Sequence, residues 1–198
     1  MRAGLFAFWL LLVGGGIVAI SNYQSRQGRV GDTPEHWPSV KQIPLNPDRD
    51  TLIMFAHPQC PCTLASVEEL NRLLAQSRGR IAAYVLFFKP RQRPADWTGT
   101  GLQRSAAAIP GVTVLEDTDN VLARQFGAET SGYVVLYDPQ GRLLFRGGIT
   151  AGRGHAGDNA GETAIVSLAT GRPADSRQTP VYGCSLLTQS CSLRGAAR

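Results

Sequence analysis

The sequence predicts an α/β domain, a central mixed sheet flanked by helices, set behind an N-terminal transmembrane helix. Three observations carry this. Two continuous apolar runs, Thr51–Ala56 and Ile81–Phe88, read as buried parallel strands with a helical pattern between them. The turn signal Asp138-Pro139-Gln140-Gly141 joins Tyr133–Tyr137 to Leu143–Phe145 as an antiparallel pair. Residues 4–20 contain no charge, at the short end of what spans a bilayer.

Taken in order, residues 1–21 read as a membrane anchor or signal segment. Arg2 and the free amine precede the apolar run and favour a cytoplasmic N-terminus, which exports the remainder. A cleavage site after Ser21, with Ala19 at the outer small-residue position, is poor, so an uncleaved anchor is expected. Residues 22–47, punctuated by Pro34, Pro38, Pro44 and Pro47, are expected to form a flexible tether. The folded domain occupies 48–172.

After Thr51–Ala56, apolar positions Leu64, Val67, Leu70, Leu73 and Leu74 recur at helical spacing. Ile81–Phe88 is the second strand and Lys89–Gly101 a loop. Leu102–Ile109 is helical and stops at Pro110-Gly111, Val112–Leu115 is a short strand, and Asn120–Phe126 a short helix. The hairpin, a glycine-rich loop and a last helix around Glu162–Leu168 complete the domain. Residues 173–198 read as an irregular tail.

Composition excludes several functions. A chain of 198 residues with four cysteines can build a core without a disulfide framework. The net charge of +5 is spread out, and the small basic run Lys89, Arg91 and Arg93 reads as a solvated loop, so no nucleic-acid partner is expected. Gly152-Arg-Gly-His-Ala-Gly157 matches a dinucleotide-binding pattern in letters only. It follows a hairpin and no later strand completes a βαβ unit, so no nucleotide is expected.

The chemistry concentrates at Cys60-Pro61-Cys62, between the first buried strand and the first helix of the domain. Unpaired N–H groups and partial positive charge at a helix start stabilise a thiolate, the reactive form of cysteine. Two thiols so placed suit electron exchange or soft-metal binding, with a structural pair as the plain alternative. His57, three residues before Cys60, is a tuning residue, a ligand or an ordinary loop histidine. His155 reads first as structural, with a role near the thiols as the alternative. Cys184 and Cys191 in the tail either bridge each other in a surface disulfide or supply a relay thiol that reaches back to Cys60 or Cys62.

This order of elements, with Phe55-Ala-His-Pro-Gln-Cys60 leading from strand to first cysteine, resembles the thioredoxin fold over roughly residues 40–172. More narrowly the chain resembles membrane-anchored bacterial proteins called RedB-like. The resemblance rests on His57-Pro-Gln-Cys-Pro-Cys-Thr63, Thr130-Ser131-Gly132, Gly147-Gly148-Ile149-Thr150, Arg153-Gly154-His155 and Pro180-Val-Tyr-Gly-Cys184. A more distant likeness runs to TlpA-like and Sco-like proteins. The resemblance implies a thiol–disulfide oxidoreductase held in the bacterial inner membrane by one span and facing the periplasm. Cys60 is then the nucleophile and Cys62 the resolving thiol, with His57, Pro61 and Thr130 as tuning residues. Its partner would be a protein thiol or disulfide, and it would need no bound cofactor.

The chain departs from the thioredoxin pattern twice. The pair is Cys-x-Cys, whose closure strains a disulfide and makes it more oxidising. Ser131-Gly132 stands where that fold normally carries a cis-proline. Sco-like proteins also lack that proline and handle copper, so the second reading is a copper chaperone using Cys60 and Cys62 with His57 or His155. The histidine that Sco-like proteins place before the hairpin is absent from Glu129–Gly132. A third reading is a non-catalytic thioredoxin-fold binding module. Peroxiredoxins place threonine or serine where His57 stands, so peroxide reduction is not expected. Paired thiols in an oxidising space also argue against a hydrolytic Cys–His enzyme.

Overall fold

The computed structural model describes residues 2–92, 97 and 99–186. Helix α1 (Arg2–Gln24) comes first, followed by β1 (Asp50–Ala56), α2 (Cys62–Gln76), β2 (Ile81–Lys89), α3 (Gly101–Ala107), β3 (Val112–Thr118), α4 (Val121–Gln125), β4 (Tyr133–Tyr137), β5 (Leu143–Gly148) and α5 (Ala160–Ala169). The five strands form one sheet in the order β3-β2-β1-β4-β5. The first three strands run parallel, while β4 is antiparallel to β1 and β5 antiparallel to β4. The fold is thioredoxin-like, as the sequence predicts.

Central β1 is apolar from Leu52 to Ala56 because both its faces are covered there. Leu52, Met54 and Ala56 point to one core with Val67, Leu70 and Leu73 of α2 and Ala164 and Ile165 of α5. Ile53 and Phe55 point to the other with Phe126, Tyr133 and Tyr137. Strand β3 runs three residues beyond the expected Leu115, because Glu116, Asp117 and Thr118 keep parallel register with Phe87, Phe88 and Lys89. Their polarity hid this. Asp117 is there for another reason: its carboxylate accepts the N–H groups of Leu122 and Ala123 at 2.9 and 2.8 Å and caps α4.

The expected flexible tether is corrected from Gly28 onward. The second sheet face has only the short α4 to cover it, and residues 28–45 supply the rest. Ile43 is fully buried, and the Trp37 ring stands edge-on to Phe126 and Tyr137, each at 5.3 Å between centroids. Val30 bridges Ala128, His36 bridges Arg142, and the Tyr137 hydroxyl donates to the Pro34 carbonyl at 2.8 Å. The prolines stiffen a strap rather than loosen a linker. Replacing Trp37 with alanine is accordingly expected to cost roughly 2–3 kcal/mol, less than a fully buried tryptophan. A shift in the urea midpoint checks this; an unchanged midpoint would mean that the strap does not contribute to the core.

The domain also extends past its expected end at 172. Gln178 pairs beside Arg146, Ser185 bridges Thr130, and Val181 and Leu186 are buried in the second core. Helix α1 leaves Phe6, Phe8, Trp9, Leu11 and Ile17 exposed. Among the described residues no helix is long and apolar enough to cross a membrane. Side chains at 2, 3, 5 and 7 lie outside the described residues.

Candidate active site

Strand β1 ends at Ala56 and feeds a tight turn. The Cys60 N–H donates to the His57 carbonyl and the Thr63 N–H to the Cys60 carbonyl, both at 3.1 Å, which rolls the chain into α2. Pro61 stands at the N-cap with φ −64°, already helical, and no side chain caps the helix. The first-turn N–H groups therefore need another acceptor. The Cys60 sulfur fills that need, taking the Cys62 N–H beside it.

Three thiols serve this turn, two from it and one from the tail. Cys184 Sγ lies 2.9 Å from Cys60 Sγ. Cys60 itself is only 3% exposed. Its ionisation is pulled down to about 4, first by the hydrogen bond from the Cys184 thiol, against the opposing effect of burial. The Thr63 hydroxyl and the N–H groups of Cys184 and Cys62 add to it. Cys62 shifts the other way: burial and then the Cys60 charge raise it, while Arg153 beside it opposes them by charge and hydrogen bond.

A polar chain stands behind Cys60. Ser131 Oγ accepts the His57 N–H at 2.8 Å and lies 2.6 Å from Thr63 Oγ1. With Thr63 donating to the Cys60 thiolate, Ser131 donates to Thr63 and fixes its rotor. Gly132 has φ +88°, and a Cβ there would meet Ser66 Oγ at 2.8 Å. Only glycine lets this loop lie so close to α2.

The tail is pinned across the same loop. The Ser131 N–H donates to the Cys184 carbonyl at 2.8 Å, the Leu186 N–H to the Glu129 carbonyl at 2.8 Å, and Arg153 Nη1 to the Gly183 carbonyl at 2.6 Å. Gly183 has no room for a side chain: its Cβ would sit 1.9 Å from the Ser131 carbonyl oxygen. Arg153 also stacks over the Tyr23 ring at 5.2 Å, so the end of α1 underlies the site. Its loop is tied to α2, since buried Glu69 accepts the Gly157 N–H at 2.7 Å and pairs with Arg72. Glu162, beside Glu69, is raised to about 7 by burial and then by Glu69 itself.

Cys60, Cys62 and Pro61 thus stand where the sequence places them. His57 lies in the same turn, its Nδ1 accepting the Gln59 N–H at 3.2 Å and its ring against Phe88 and Trp97 at 5.5 and 5.8 Å. Burial lowers its pKa, against the smaller opposing pull of the Cys60 charge. Thr130 is corrected: its hydroxyl donates to the Arg29 carbonyl at 2.7 Å, away from the thiols. Its neighbour Ser131 is linked to Cys60 instead, by way of Thr63. His155 is exposed, its Nδ1 3.0 Å from the Arg153 carbonyl. The proposed set of Cys60, Cys62, His57 and His155 does not converge: among the described residues no three His, Cys, Asp or Glu side chains are placed to hold a metal ion. Of the two tail cysteines, Cys184 is on Cys60 rather than out on the surface, and Cys191 lies outside the described residues.

No protein-family model matches the chain, and no curated protein matches it. Solved structures do. A hypothetical protein from Sinorhizobium meliloti 1021 is 20% identical with a TM-score of 0.60, over 85% of this chain and 99% of that one. A conserved protein from Geobacillus kaustophilus is 18% identical with a TM-score of 0.60, over 83% and 93%. Both show the fold alone. An exposed lipoprotein thioredoxin of Streptococcus pneumoniae is 13% identical with a TM-score of 0.43, over 63% and 85%, too distant to carry an argument.

Proposed function

We propose that this protein is a thiol–disulfide oxidoreductase that exchanges electrons with protein thiols and disulfides, starting from Cys60. The observation that carries the reading is the Cys60 sulfur, ionised down to about pH 4 at the start of α2 and faced by a second thiol at 2.9 Å. Thiolate attack on a client disulfide joins Cys60 to one client sulfur and releases the other as a thiolate. A neighbouring thiol, Cys62 or Cys184, then attacks the Cys60 sulfur, loses its proton, and releases the second client thiol. Two electrons have passed to the client and one internal disulfide remains. The reverse sequence oxidises a dithiol. No bound cofactor enters this scheme. The membrane placement belongs to the same proposal: exposed, apolar α1 anchors the chain in a bacterial inner membrane with the domain in the periplasm, in the manner of RedB-like proteins.

The test is a chain that keeps Cys60 as its only cysteine. Challenged with glutathione disulfide, it is expected to accumulate a Cys60–glutathione mixed disulfide, read by intact mass. The wild-type chain resolves the adduct. If Cys60 stays unmodified while the wild-type chain retains Cu(I) and shows no titratable pair, the copper-chaperone reading replaces this one.

A further inference from the structure

We propose that the thiol pairing with Cys60 is Cys184, so that the working disulfide of the site is Cys60–Cys184 and residues 178–186 are a built-in strap that carries the resolving cysteine. This rests on the oxidoreductase reading above and assigns its second residue.

Cys184 is 124 positions from Cys60 in sequence, yet it is held there from both sides. Upstream, the Gly28 N–H donates to the Val181 carbonyl at 2.7 Å; downstream, Asn120 Nδ2 donates to the Leu186 carbonyl at 2.5 Å. Buried Val181 and Leu186 anchor the two ends, and the Ser131 and Arg153 bonds fix the middle. The strap lies along the loop before β4, where an isolated bridge joins Thr130 to Ser185. Small side-chain rotations bring its sulfur from 2.9 Å to the ~2.05 Å of a disulfide.

Cys62 is worse placed for the same bond. It is the first residue of α2, two positions from Cys60 across a proline fixed at φ −64°. The Cys62 thiol also lies within hydrogen-bond reach of Cys60, but a disulfide closed across a single residue, here a proline already helical at the start of α2, is a strained ring. In the proposed step the Cys184 sulfur attacks the Cys60 sulfur of the mixed disulfide. The Cys60–Cys184 bond forms, the bond to the client breaks, and the Cys184 proton passes by way of solvent to the departing client thiolate. The oxidant is the client disulfide.

The experiment equilibrates the full chain in detergent with glutathione redox buffers. Samples are acid-quenched and alkylated, and the disulfides are mapped by mass spectrometry without reduction. Wild type, Cys62→Ser and Cys191→Ser are expected to give a Cys60–Cys184 linked peptide. Cys184→Ser is expected to lack it and to hold at least tenfold more glutathione on Cys60. A Cys60–Cys62 link in wild type, with Cys184→Ser oxidising normally, overturns the assignment and leaves the oxidoreductase reading standing; so does a Cys184–Cys191 link. Cys60 that neither links nor takes glutathione in any variant sinks both.

Discussion

The reduction potential of the full chain is expected to fall by about 30 mV per pH unit between pH 5 and 8, half the slope of an ordinary dithiol. The halving follows from proton counting. Reduction of a disulfide between two ordinary thiols takes up two protons with two electrons. Here Cys60 stays ionised above about pH 4, so only its partner is protonated. One proton per two electrons moves the equilibrium tenfold per pH unit, which for a two-electron couple is about 30 mV. Below pH 4 the slope should double. The same ionisation acts on stability with a definite sign. The pKa of Cys60 is depressed in the folded chain from an unfolded value near 9.0, so its contribution is complete above pH 9 and is lost as pH falls through 4. The melting temperature of the reduced protein, measured against Cys60→Ser, should rise across that window. Titration in glutathione buffers at several pH values decides the matter. A slope near 60 mV throughout would mean that Cys60 is a protonated thiol and that the hydrogen bonds around it do not hold a charge. Because the thiolate stabilises the reduced form, the disulfide should also be a comparatively strong oxidant.

The turn that carries Cys60 and Cys62 is legible in the sequence because everything that builds it is local. An apolar run ending at Ala56, a proline at 61 and helical spacing from Leu64 suffice to place Cys60 at a strand-to-helix junction. The mixed character of the sheet is legible in the same runs and in the hairpin turn, while its strand order is set by how the elements pack. What closes the site from above is not local. Ser131, Thr63 and Arg153 each lay within a phrase singled out for resemblance, but hydroxyls and guanidinium groups carry no periodic signal, and their partners are set by folding. Which of Thr130 and Ser131 faces α2 depends on the bend at Gly132, which the sequence does not reveal. The strap of residues 28–45 and the tail of 178–186 are hidden from the sequence for one reason. Both are rich in proline, glycine and polar residues, a composition that signals the absence of regular structure and says nothing about packing. Ile43, Trp37, Val181 and Leu186 are the sparse apolar residues that pin these irregular segments to a sheet face with too little helix to cover it.

Gly183→Val tests the strap where the fit is tightest. A Cβ at this position would stand 1.9 Å from the Ser131 carbonyl oxygen, so any side chain must push the strap off the loop. The bond from the Ser131 N–H to the Cys184 carbonyl and that from Arg153 to the Gly183 carbonyl go with it. Two consequences follow for Cys60. The cover over its sulfur is lost, so its maximal alkylation rate by iodoacetamide should rise at least tenfold. Its strongest anion-stabilising partner, the Cys184 thiol, is also withdrawn, so its pKa should climb from about 4 toward the ordinary thiol range. At low pH the raised pKa removes thiolate and opposes the uncovering; at high pH that loss fades and the greater intrinsic nucleophilicity of a less acidic thiol adds to it. Alkylation of the Cys60 peptide, followed by mass spectrometry, should therefore gain far more from the substitution at pH 8 than at pH 5. A valine variant that folds and leaves both rate and pH profile unchanged would show that the strap neither covers nor tunes the nucleophile. A rate gain without a pKa shift would assign the low pKa to Thr63 and the α2 start alone, and leave Cys184 as a cover rather than a partner.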